Sequence, residues 1–137
     1  MAAMKNIMIV GIGGKVIGLD AMSGEIRWED GMKSGGYGEV ALAATEDLVF
    51  ASANSAKLFC YRYATGALVW TADTNTTGRA TIIVDEEQVY VAKGGVVDCY
   101  SFSGTKVWSQ PLKGKGLGRI AMGFPGNIVQ SDDPGTE

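Results

Sequence analysis

Histidine is absent from this chain of 137 residues, and cysteine occurs only twice. Without imidazole there is no Ser-His or Cys-His nucleophile pair, no imidazole-ligated zinc and no ordinary acid–base group near neutrality. Two cysteines cannot complete a four-thiolate metal site. Long hydrophobic runs are missing too: none approaches the roughly 18 residues of a spanning helix, so no membrane is expected as a partner. A basic excess is lacking as well. The net charge of −3 removes the electrostatic reason to expect nucleic acid. The apolar stretch 7–12 after Lys5 is shorter than the core of about 7–15 residues in a secretion signal. It reads as a strand, and the chain as an unprocessed cytoplasmic protein.

What the chain does have is a repeat. Gly, three residues, then Trp recurs as Gly24 to Trp28, Gly66 to Trp70 and Gly104 to Trp108, with the glycines 42 and 38 residues apart. A fixed period of this size marks a repeat architecture. Gly38, Gly78 and Gly118 keep a 40-residue beat, and each is followed by a charge and an apolar run, at 40–44, 80–84 and 120–124. Further runs begin at Met8, Val49, Val89 and Ile128, and others cover 16–21, 58–63 and 96–102 before each Gly-Trp segment. The segments are short, rich in Val, Ile, Tyr, Phe and Trp, and bounded by Gly, Asn, Asp or Ser, which is the strand signature. Turn residues Gly13-Gly14, Asn54-Ser55, Gly94-Gly95 and Pro134-Gly135 fall at matching places. Hydrophobic content of 46% and 20 glycines suit a folded, turn-rich chain.

A helix over the alanine-rich stretch 39–58 is the rival on propensity alone. Its counterpart Thr81-Ile82-Ile83-Val84 is β-branched, and repeats share one structure, so the β reading prevails. One unit is then four short antiparallel strands in about 40 residues, the blade of a β-propeller. The predicted fold is all-β, with about three blades per chain. Residues 5–30 form a partial blade, 38–73 and 78–112 two full blades, and 118–131 strands that complete a neighbouring blade.

The segment Leu19-Asp20-Ala21-Met22-Ser23-Gly24-Glu25-Ile26-Arg27-Trp28 resembles the tryptophan-docking repeat of pyrroloquinoline-quinone-type propellers. Residues 61–70 match with Arg62 in place of the aspartate, and 100–108 match with Ser101 there and one residue fewer. The resemblance covers essentially the whole chain. It implies that Trp28, Trp70 and Trp108 are inter-blade residues, each packing on the glycine region of a neighbouring blade through Gly24, Gly66 and Gly104. It does not imply the quinone cofactor. The enzymes with this repeat use a larger ring, a calcium site and a pair of adjacent cysteines, whereas Cys60 and Cys99 lie far apart. No cofactor or metal is expected. The repeat also resembles that of periplasmic assembly-factor propellers, which bind partner proteins.

Propellers close with about 4–8 blades, and three would leave apolar faces and bare strand edges. A homodimer resolves this by strand exchange: the innermost strand 120–124 of one chain completes the N-terminal blade of the other, giving six blades. The strand at 128–131 duplicates the one at 8–11, so one copy must be displaced. The alternatives are a section of a longer propeller or a higher ring.

Glu39, Arg79 and Arg119 each open an innermost strand and should converge at the axial mouth, with Tyr37 in a nearby loop. Arginines meeting on an axis suit carboxylate, sulfate or phosphate ligands. The competing reading is solvated strand ends, or pairing with Glu39. Cys60 and Cys99 read as small buried side chains. The acidic groups at 46–47, 85–87 and 132–133 read as solvated turns, since they lack calcium-loop spacing. The glycines at 11–14 are followed by no helix that could hold a phosphate. The expected function is a non-catalytic binding platform, assembled from half-propellers, for a protein partner or a small anionic ligand. The alternative is a lyase or transferase with an arginine-lined pocket.

Overall fold

Paired glycines set the hairpins. Gly13 and Gly14 both have positive φ (56° and 75°), as do Gly94 and Gly95 (59° and 82°), the requirement of a two-residue turn whose twist matches its strands. The computed structural model describes residues 6–116 and 119–129; Gly118, Asp132-Asp133 and Pro134-Gly135, named above, lie outside them. Among the described residues there are strands and no helix. β1 (Ile7–Ile12), β2 (Lys15–Asp20) and β3 (Ile26–Asp30) form a three-stranded antiparallel sheet. β4 (Ala41–Ala44), β5 (Leu48–Ser52), β6 (Lys57–Arg62) and β7 (Leu68–Asp73) form a four-stranded meander. β8 (Ala80–Val84), β9 (Gln88–Lys93), β10 (Val96–Ser101) and β11 (Lys106–Gln110) form another. β12 (Met122–Phe124) pairs with β13 (Asn127–Val129). The stretch 39–58 is strand rather than helix. Ala41, Ala43 and Ala44 occupy the inner strand β4, whose ladder to β5 (Ala41 opposite Ser52, Ala44 opposite Val49) overrides their helix propensity.

The repeat reaches down to the irregularities. Register slips between Gly18 and Leu19, between Cys60 and Tyr61, and between Cys99 and Tyr100, one bulge per sheet at the same repeat position. The extra residue, Arg27, Val69 or Val107, lies on the outer strand just before its tryptophan and bends that strand there.

Period-2 alternation then builds the core between sheets rather than within one. In the second sheet, Val49, Ala51, Phe59 and Tyr61 pack with Ile7, Val16 and Trp28 of the first. Their neighbours Phe50, Leu58 and Cys60 point the other way, against Ile82, Val89, Val91 and Tyr100 of the third. The middle sheet is therefore buried on both faces. The outward faces of the end sheets are not: Met8 and Ile12 on β1, and Val107 and Trp108 on β11, are exposed.

Trp28 links the first two sheets. Its Nε1 donates to the Tyr63 carbonyl at 3.0 Å, and its ring lies where a Cβ on Gly66 would stand. Trp70 repeats the arrangement, donating to Phe102 O at 2.9 Å with its ring against Gly104. Both glycines also have positive φ, so no other residue suits either the space or the backbone. β12 is shorter than the run 120–124 expected, and β13 of the same chain holds its edge. The Asn127 amide anchors this hairpin by donating to Val84 O at 2.7 Å.

Truncating Trp28 to Ala removes a buried indole and a hydrogen bond between sheets. It should lower unfolding free energy by about 3–5 kcal/mol in urea melts followed by circular dichroism.

Candidate functional site

Gly38 and Gly78, at φ 83° and 104°, turn the chain inward before the inner strands β4 and β8. The next residue in each case is charged. Glu39 and Arg79 are thereby brought side by side and form an ion pair between adjacent sheets. Arg119 enters from the segment before β12. Both arginines line a cavity of about 250 Å³ with Glu39, Thr81, Leu42 and Val129. They also line a second cavity of about 250 Å³, bounded by Thr77, Lys93 and the Gly94-Gly95 turn. Glu39, Arg79 and Arg119 thus meet at one place. Tyr37 does not join them: it is 74% exposed, lines neither cavity, and its backbone N–H donates to Asn54 Oδ1.

Lys93 was not expected. It is 3% exposed, and its Nζ donates to Ser52 Oγ (2.6 Å), Ser55 O (2.7 Å) and Ala53 O (3.0 Å) of the neighbouring sheet. Burial among neutral acceptors holds the ammonium down, to a pKa of about 8. The signal in the sequence was a charge at the end of β9, where the preceding repeat carries Ala53. A buried carboxylate, Asp98, is met by the Asn75 amide at 3.2 Å and by Lys106 at 3.9 Å.

Cys60 and Cys99 are free and buried in separate sheets. Burial pushes the Cys60 thiol up to about 12 and raises that of Cys99. Neither is a thiolate at neutral pH, so neither is nucleophilic. Among the described residues no group of three or more His, Cys, Asp or Glu could hold a metal ion. The two cysteines, in separate sheets, are not the adjacent pair of the quinone enzymes that the repeat resembles. No described helix is long and apolar enough to cross a membrane.

Residues 12–133 match the family model described as outer membrane protein assembly factor BamB. The chain belongs to this family. Its fold recurs in solved propellers. BamB from Moraxella catarrhalis superposes with a TM-score of 0.65 at 25% identity, over 77% of this chain and 33% of that one. A quinohemoprotein alcohol dehydrogenase, ADHIIG, from Pseudomonas putida HK5 gives 0.68 at 18% identity, over 90% of this chain and 20% of that one. The computationally designed protein Ika8 gives 0.64 at 17% identity, over 80% and 35%. The chain spans about a third of the BamB structure's length. No curated protein matches it. This is a PQQ-type β-propeller chain of the BamB family.

Two outcomes follow from the buried groups. The folded chain releases the Lys93 proton near pH 8, and the unfolded chain releases it near the ordinary 10.5. Between these values the unfolded state binds more protons. Stability from this group is therefore flat below pH 8 and rises across the window. Wild-type chain should gain about 3 kcal/mol relative to Lys93→Met between pH 8 and 10.5 in denaturant melts. Iodoacetamide at neutral pH should leave both thiols unmodified in the native chain and alkylate both in denaturant, as read by mass spectrometry.

Proposed function

We propose that the chain is a non-catalytic binding propeller whose axial face takes a carboxylate- or phosphate-bearing ligand, either on a protein partner or as a small anion. The observation that carries this reading is the meeting of Arg79 and Arg119 beside Glu39, on two adjoining cavities at the ends of inner strands. Arg79 and Arg119 bring two guanidiniums to these cavities. Their planar forks suit bidentate oxyanions, and the cavity walls lower the dielectric. Membership in a family described by a membrane-protein assembly factor supports a protein-bound ligand group. A lyase or transferase would need a proton-transfer group in these cavities. The one described amine drawn toward neutrality, Lys93, commits its Nζ to three acceptors of the next sheet.

The platform is completed by a second copy. Two chains, each with two four-stranded sheets and the strands of a third blade split between its first and last sheets, make a six-bladed ring, within the usual range, and neither apolar end face is then left to solvent.

Calorimetric titration with citrate, phosphate and an acidic peptide tests the axial site. Arg79→Ala combined with Arg119→Ala should weaken the tightest of these by at least tenfold, with the melting curve still cooperative. Affinities identical to wild type for all three would overturn the anion reading.

A further inference from the structure

Gly24 stands as a tryptophan seat with no tryptophan on it. The seat at Gly66 is defined by three backbone hydrogen bonds: Gly66 N to Arg62 O and Arg62 N to Ala67 O, both 2.8 Å, and Tyr63 N to Asp47 O, 2.8 Å. Gly24 has the same three, from Gly24 N to Asp20 O, Asp20 N to Glu25 O, and Ala21 N to Asn6 O, at 2.8, 2.8 and 2.9 Å. Its φ of 78° matches the 75° of Gly66. The occupant differs. A Cβ on Gly66 would strike the Trp28 ring, whereas one on Gly24 would meet nothing within 4 Å.

At the other end of the chain the reverse holds. Trp28, seated, is 9% exposed; Trp108, at the same repeat position, is 44% exposed. None of the described glycines lies against it. Beside Trp108, Tyr90 and Val97 line an open apolar cavity of about 440 Å³ with the β12 segment. Tyr90 and Val97 are the repeat counterparts of Phe50 and Leu58, which the third sheet covers. The matching face of the first sheet shows exposed Met8 and Ile12.

We propose that the Trp108 indole of one copy seats on Gly24 of a second copy and donates its N–H to the Ala21 carbonyl, as Trp28 does to Tyr63. This rests on the reading that two copies close one ring. It adds the contact that sets the register of the junction. Because the seat is already hydrogen-bonded in the free chain, docking requires no backbone ordering. The second copy's β1 takes the edge of β12 that β13 holds in the free chain. A ladder of three residue pairs gives way to a strand of six residues.

Sedimentation velocity on the full chain across the micromolar range tests both levels. Wild type should sediment at twice the chain mass of 14.4 kDa. Trp108→Ala and Gly24→Asn should each raise the dimer Kd by at least about 30-fold. Asn accepts the left-handed backbone at position 24 but fills the seat. Trp108→Phe should have a smaller effect. A mixture of Trp108→Ala with Gly24→Asn should dimerise better than either alone, because one of its two junctions is intact. A wild-type monomer would overturn the ring reading and the seat with it. A wild-type dimer whose Kd is unmoved by both variants would overturn the seat alone. If Trp108→Ala loses its far-UV circular dichroism, Gly24→Asn decides, since no described atom lies within 4 Å of where a Cβ there would stand.

Discussion

An indole lying on a glycine holds this molecule together. Each sheet is too small to bury its own apolar faces, and the strands give it only edges and surfaces. The tryptophan from the outer strand of one sheet reaches across to the next and hydrogen-bonds a carbonyl there. The ring covers a backbone with no side chain of its own. Remove the glycine's bareness and the ring has nowhere to lie; remove the ring and two apolar sheets face a gap. Everything else in the fold is arranged around that contact, down to the bulge residue that immediately precedes each tryptophan.

The same contact explains why the core is distributed. Burial alternates along β5 and β6 so that one strand serves two cores, with Val49 and Ala51 facing one neighbour and Phe50 the other. A chain built this way has no natural end. Its first sheet carries an open glycine at Gly24 and its third an exposed Trp108, at the repeat positions of Gly66 and Trp28. Polar groups reinforce the inter-sheet bonds where packing is thinner. The Lys93 ammonium ties β9 to the turn after β5, and the Tyr61 hydroxyl donates to Asp30 at 2.7 Å.

The axial cluster is a by-product of inward-turning glycines. Before β4 and β8 the residue after the glycine is charged and lines the same cavity. Glu39 pairs with Arg79 there, and Arg119 lines the same cavity. The Lys93 amine adjoins this region but serves the fold.

By itself the sequence determined the architecture. The 40-residue period, β-branched runs and glycine pairs can be satisfied only by repeated four-stranded sheets, because local propensity and spacing agree at every unit. It also brought Glu39, Arg79 and Arg119 to one level, since equivalent positions in a repeat occupy equivalent places around an axis. Two matters were decided only by tertiary structure. Tyr37 stands away from the cluster because its loop is hydrogen-bonded to Asn54. Lys93 turns inward because acceptors of another sheet await it, and no local pattern encodes acceptors 38–41 residues away.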